Sequence, residues 1–134
     1  VLLSFPGARL LFHGVAVKPG KPTLAVSMGS KMAIGLPGHP VSALMMYHVI
    51  CSPALKATGA GWMHARLAVN IASQAGRDDF IPVVLQEEEE GLVVTPLLGK
   101  SGLMRILSMA DGYIHIPYEK QGLEAGQYVQ VHSF

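Results

Sequence analysis

The sequence predicts a two-part chain: an α/β segment over residues 1–60, then an all-β segment, a small barrel or sandwich, over 63–134. Three observations carry this. Strand-like runs lead into one apolar helical run in the first part. "KATGAGW", residues 56–62, interrupts the pattern with small residues and reads as the boundary. Beyond it no long helical period occurs, and short apolar runs are divided by Gly, Pro and acidic clusters.

Leu10 to Val17 reads as a strand, with Leu10 and Phe12, then Val15 and Val17, around Gly14. "KPGKP", 18–22, follows as a turn. Pro-Gly at its centre is the type II signature: proline presets the first φ and glycine supplies the positive one. Lys18 and Lys21 are then the first and last residues of one turn, with Cα atoms within about 7 Å. Thr23–Met28 is the next strand, Gly29-Ser30 a turn and "KMAIGL" a further strand. In "GLPGHPVSALMMYHVICSPAL" the period changes. Pro37-Gly38 and His39-Pro40 are turn dipeptides, and Pro40 suits the first turn of a helix, where its missing N–H costs nothing. Residues 41–52 place Val41, Leu44, Met45 and His48 on one stripe and Ala43, Met46, Tyr47 and Ile50 on another. A helix apolar on most sides is expected to be packed from both sides, and Pro53 to kink or end it.

In the second part, "ARLAVNIAS" (65–73) alternates, with Leu67, Val69 and Ile71 on one face. "FIPVVLQ" (80–86) and "GLVVTPLL" (91–98) are further strands, and Pro82 and Pro96 are expected at edges or bulges. "GRDD" (76–79) and "EEEE" (87–90) read as hairpin turns, because adjacent carboxylates repel and favour water. "LMRILSMA" (103–110) reads as a short helical turn. "YIHIP" and "QYVQVHSF" close the chain as strands, and "LEAGQYV" (123–129) holds a turn at Gly126.

The composition narrows the function. A net charge of +1 in 134 residues argues against a nucleic-acid binder that works by broad phosphate neutralisation. No run of 18 uncharged apolar residues is present, so no membrane partner is expected. Val1 opens in the middle of apolar sequence, which reads as a piece of something longer. The single cysteine, Cys51, excludes an internal disulfide and fits a reducing compartment, so a cytoplasmic location is expected. The six histidines are scattered, and none pairs with another or with Cys51 at metal-ligand spacing, so no metal ligand is assigned. His48 reads as a hydrogen-bonded core histidine.

Four features are candidates for chemistry. Lys18 and Lys21 have two open readings: exposed lysines beside prolines, or an anion corner. Two ammonium groups about 6 Å apart repel by only about 0.7 kcal/mol in water, so solvation alone permits the pair. "GLPGHP" is the strongest local signal, because a glycine-containing turn before a helix presents free N–H groups to anions; a sharp strand-to-helix turn needs the same residues without a ligand. Arg77 either pairs with Asp78 or Asp79 or meets a ligand phosphate, with the pairing favoured. "GKSG" (99–102) is not a P-loop, because Val94 stands where that loop needs glycine. Ser101 is then a turn serine or a polar group at a site.

Taken together, "GVAVKPGKPTLAV…AIGLPGHPVSALMMY", with "AGRDDFIPVVL", "PLLGKSGLMRILSMADGYIHIP" and "LEAGQYVQV", resembles the C-terminal half of the molybdopterin molybdenumtransferases. These are the bacterial MoeA proteins and the C-terminal domain of eukaryotic gephyrin. The resemblance implies a molybdopterin-binding α/β subdomain ending near residue 60, then a terminal β-barrel subdomain. It implies insertion of molybdenum from molybdate into adenylylated molybdopterin, with release of AMP and a requirement for Mg2+. Carried over by position, the implied binding residues for the molybdopterin-type ligand are Lys18, Lys21, Pro37, Gly38, His39, Pro40, Arg77 and Ser101. His39 stands where the family has asparagine. The family's acidic metal residues lie mostly upstream of this segment, so the chain is expected to carry part of a site. The resemblance also implies a homodimeric parent with sites formed between subunits. Two alternatives stay open: a non-catalytic scaffold or interaction module, and a stand-alone binder of a phosphate-bearing ligand.

Overall fold

The computed structural model describes residues 1–55, 61–98, 106 and 108–134. It divides into two compact units, Val1–Lys56 and Ala57–Phe134.

The first unit opens with a 3-10 turn (Leu2–Ser4), then β1 (Ala8–His13), the two-residue β2 (Val17–Lys18), β3 (Leu24–Met28) and β4 (Lys31–Gly35). Strands β1, β3 and β4 form an antiparallel sheet in that order, with a register shift between Leu10 and Phe12. The helix α1 (Pro40–Met46) runs into a π-helical turn (Tyr47–Cys51) and a last short turn α2 (Ser52–Ala54). The helical stretch thus continues past Pro53. The π turn explains how: proline at 53 has no N–H for the carbonyl of Val49, and the chain widens its hydrogen-bond register just before it, with Ser52 N–H donating to Tyr47 O. Val41, Met45, Met46 and Cys51 are buried, but Leu44 and His48 are only half-buried and Tyr47 is exposed. The helix therefore covers one face fully, not two as its apolar stripes suggested.

The second unit contains β5 (Trp62–Leu67), β6 (Ile71–Ala72), β7 (Asp78–Glu88), β8 (Gly91–Pro96), β9 (Gly112–Ile116), β10 (Gly122–Leu123) and β11 (Tyr128–Ser133). Five of these close a barrel in the order β7-β8-β5-β11-β9, with β9 returning to β7. Only the β5–β8 contact is parallel. Closure rests on the length of β7: Asp79–Val83 pairs with β9 and Val83–Glu88 with β8. Pro82 sits in the interior of this strand, not at an edge. It lies beside the handover between partners, where its carbonyl accepts from Leu97 N–H at 2.8 Å. Period-2 alternation sends Ala65, Leu67, Ile81, Val83, Ile114 and Val131 inward to one core. Burying each branched side chain there contributes about 1.5–3 kcal/mol.

The alternating face proposed for 65–73 is broken. Val69 is exposed because a turn separates β5 from β6, and Asn70 Oδ1 caps Ala125 N–H at 2.7 Å. Strand β6 pairs with β10, where the backbone comes so close that a Cβ on Gly122 would lie 2.2 Å from Ile71 O. In the acidic run, Glu87 and Glu88 belong to β7, and Glu88 pairs with Arg66 at 3.2 Å. Ala110 N–H bonds to Ile106 O at 2.9 Å, a helical turn within 103–110; residues 103–105 and 107 lie outside the described residues. Among the described residues no helix is long and apolar enough to cross a membrane.

Candidate functional site

The lysine turn is built around a buried glycine. Gly20 has φ +124, and a Cβ on it would lie 2.4 Å from Met46 Sδ and 2.6 Å from Met46 Cγ. Only glycine fits there: the conformation is one that L side chains rarely adopt, and the space is already filled. Met46, on the last turn of α1, is 0% exposed. The turn thus packs directly against the helix.

The hydrogen bonds place the reversal two residues later than expected. Thr23 N–H and the Thr23 hydroxyl both donate to Gly20 O, at 3.0 and 2.6 Å. The closed turn is therefore Gly20–Thr23, not Lys18–Lys21, and the Lys18–Pro19 peptide is cis. Thr23 is fully buried, so its hydroxyl needs an internal acceptor, and Gly20 O is the one in reach. Two further bonds, Gly14 N–H to Thr23 O (2.8 Å) and Val15 N–H to Lys21 O (2.9 Å), tie both sides of the reversal together. Lys18 and Lys21 stay exposed on either side of this pinned backbone.

The helix entrance is the second part. Pro37 is buried, whereas Gly38, His39 and Pro40 are exposed. His39 is the N-cap, with extended backbone (φ −85, ψ 122) and no side-chain capping bond. Pro40 occupies the first turn, and the first helical bond runs from Ala43 N–H to His39 O at 2.9 Å. The amides of Val41 and Ser42 precede any intrahelical acceptor. Met46 lies six residues beyond Pro40, about 9 Å along the helix at 1.5 Å per residue. The first unit thus gathers six of the candidates: Lys18, Lys21, Pro37, Gly38, His39 and Pro40.

Arg77 lies in the second unit, where the structure shows the pairing. Its Nε donates to Asp79 Oδ1 at 2.8 Å, and Ser73 Oγ donates to Asp79 Oδ2 at 3.0 Å. Asp79 is 3% exposed, so both oxygens of a buried carboxylate are satisfied. Ser101 lies outside the described residues.

The aspartates do not fit a magnesium ion. Asp78 Oδ1 is bonded to His115 Nε2 at 2.7 Å, Asp79 is taken as above, and Asp111 Oδ2 accepts from Leu85 N–H at 2.8 Å. Among the described residues, no group of three His, Cys, Asp or Glu side chains is placed to hold a metal. Burial pushes the His48 ring below the ordinary imidazole value and the Cys51 thiol above the ordinary thiol value, so Cys51 is not primed as a thiolate nucleophile.

Sequence reasoning missed the anchoring of the turn. The signal was a glycine fixed between two prolines, with Thr23 three residues after it; the Met46 contact is non-local and leaves no local trace.

Residues 64–134 match the family described as "MoeA C-terminal region (domain IV)", and residues 3–57 match the one described as "Probable molybdopterin binding domain". A molybdopterin molybdenumtransferase of Synechocystis is 30% identical over 125 residues, covering 90% of this chain and 30% of the relative. The Bacillus subtilis protein of that name is 26% identical over 136 residues, covering 93% and 31%. The crystal structure of the molybdopterin biosynthesis MoeA protein from Pyrococcus horikoshii superposes with a TM-score of 0.80 at 34% identity, covering 95% of this chain and 32% of that one. The chain thus spans about a third of the length of the relatives it matches. With the domain IV match covering residues 64–134, more than half its length, the chain belongs to the MoeA C-terminal region family.

Proposed function

We propose that the chain is part of a molybdopterin molybdenumtransferase of molybdenum cofactor biosynthesis. In this reading the whole protein inserts molybdenum from molybdate into adenylylated molybdopterin and releases AMP. The reading includes, for the whole protein, a Mg2+ requirement, homodimeric assembly and a cytoplasmic location. The division of labour is residues 1–60 as the end of the molybdopterin-binding subdomain and 63–134 as the terminal barrel.

The observation that carries the reading is the burial of Gly20 against Met46. It holds two exposed lysines on a backbone with little freedom left to lose, so ordering them around an anionic ligand costs little entropy. The pterin ligand carries phosphate, and the metal source is an oxyanion. Lys18 and Lys21 would supply charge-assisted donors, and the amides at the helix entrance would add oriented ones. Pro37 and Pro40 would hold Gly38 and His39 in place, with the His39 ring as a donor or acceptor. Catalysis by these groups is positioning and stabilisation of shifting negative charge. Arg77 would contribute through guanidinium nitrogens other than the Nε bonded to Asp79, and Ser101 through its hydroxyl.

The test is cofactor formation by the whole protein. Incubated with adenylylated molybdopterin, molybdate and Mg2+, it should activate an apo-molybdoenzyme and release AMP in step. Activation without AMP release, or no activation above the protein-free control, would overturn the reading.

A further inference from the structure

In the barrel, β9 and β11 pair over only part of their length. Gly112, Tyr113 and Ile114 have partners on β11, whereas His115 and Ile116 have none; Tyr128, Val129 and Gln130 have none on β9. Each strand keeps its other neighbour: β9 stays paired to β7 through Ile116, and β11 to β5 from Tyr128. The seam therefore opens into a groove of about 290 Å³. Its walls include the residues that a continued ladder would have joined: His115 and Pro117 on one side, Tyr128, Val129 and Gln130 on the other.

The direction of the backbone groups follows from alternation. Ser133 N–H bonds to Gly61 O, and Gln127 O accepts from Leu67 N–H, so the odd-numbered residues of β11 turn their polar groups toward β5. The N–H and C=O of Gln130 then face the seam. His132 and Tyr113 are directly opposed, which makes the even residues of β11 bond to the odd residues of β9. The N–H of His115 faces the seam too and is taken by Gln130 O, the bond that brackets the Ile114–Val131 pair, which leaves the Gln130 N–H at the point where the ladder stops. Polar backbone groups in this position need another partner, ligand or water.

One side chain adds a cation. Lys120 lines the groove beside the His115 and His132 rings and the amides of Gln127 and Gln130, and among the described residues no carboxylate does. Asp78 is bonded to His115 at 2.7 Å, and the His115 ring stacks on Phe80 at 4.8 Å, so its position is fixed. Leu123 and Val129 supply apolar surface. We propose that this groove binds a small organic anion, its acidic head held by Lys120 and the seam-facing N–H of Gln130, its body lying on Leu123 and Val129. A backbone donor beside a cation favours anions of either carboxylate or phosphate type. The groove shares no residue with the lysine turn of the first unit.

The test is an amide NMR titration of the chain with phenyl phosphate, benzoate and neutral benzyl alcohol. Saturable shifts are expected at His115, Lys120, Gln130 and His132 with at least one of the two anions, and which of them binds more tightly identifies the head group. Benzyl alcohol should bind at least about tenfold more weakly, and Lys120→Glu should weaken the anion about tenfold or more while keeping a dispersed spectrum. Lys21→Ala should leave these shifts unchanged, which separates the groove from the lysine turn. Absence of saturable shifts at these residues, equal binding of benzyl alcohol, or an unchanged titration in Lys120→Glu would overturn the proposal.

Discussion

Gly20→Ala tests the physical basis of the lysine turn. The new Cβ would meet Met46 Sδ, Cγ and Cε at 2.4, 2.6 and 2.8 Å. Met46 is a flexible side chain but fully buried, so it cannot swing into solvent. Overpacking of this kind costs about 1–3 kcal/mol. The backbone adds a second cost, because φ +124 is a conformation an alanine rarely adopts, worth about 1–3 kcal/mol. The total is about 2–6 kcal/mol, a large part of the roughly 5–15 kcal/mol that holds a domain folded. The assay is urea unfolding followed on amide signals of the first unit, for Gly20→Ala, Met46→Ala and the double variant. Because the steric part depends on Met46, Gly20→Ala should cost at least about 1 kcal/mol less in the Met46→Ala background. The reasoning is refuted if Gly20→Ala costs under about 0.5 kcal/mol, or costs the same in both backgrounds.

Three other outcomes are expected. Asp79→Ala removes the buried carboxylate that accepts charge-assisted bonds from Ser73 and Arg77, and should lower barrel stability by about 2–3 kcal/mol, measured by urea unfolding; Arg77→Ala should cost less. His132 and His48 are both held below the ordinary imidazole value, mainly by burial and for His132 also by His115, so the unfolded chain takes up protons first. Stability should therefore be full above about pH 6.5 and fall as the pH drops toward 5, and His132→Gln should flatten that decline in the second unit. A chain of residues 61–134 should give a dispersed amide spectrum and a cooperative melt, because its core cluster is drawn from its own strands; a collapsed spectrum would contradict this.

Local chemistry was legible; pairing over distance was not. Pro40 announced the helix start because its effect lies in its own ring, and the alternation at 112–116 and 128–133 marked strands because period 2 is written within each run. Six of the candidate ligand residues flank one turn and one helix entrance for the same reason. The closure of the barrel by β7, the packing of Gly20 on Met46 and the Asp78–His115 bond join residues far apart in the chain. No local signal specifies such registers. Pro82 misled because proline excludes itself only from positions whose N–H must pair, and beside the handover in β7 its carbonyl carries the bond to Leu97. Pro53 was expected to kink or end the helix, and the chain widens into a π turn just before it and leaves the helix after Ala54.

The central claim is that the pinned turn presents its lysines to an anion. The most direct measurement is molybdenum insertion by the whole protein carrying Lys21→Ala, read beside its thermal midpoint, with Lys31→Ala as an exposed-lysine control in the same unit. An exposed lysine contributes little to folding, and such substitutions stay within about 0.5 kcal/mol. A charge-assisted hydrogen bond to phosphate or oxyanion contributes about 1.5–3 kcal/mol, roughly ten- to a hundredfold in rate or affinity. The account predicts that Lys21→Ala loses insertion by that factor with an unchanged midpoint, that Lys21→Arg recovers only part because a planar fork replaces a compact ammonium, and that Lys31→Ala matches the unsubstituted protein. Full activity of Lys21→Ala at ordinary salt would show that the turn is a solvated corner and contradict the account.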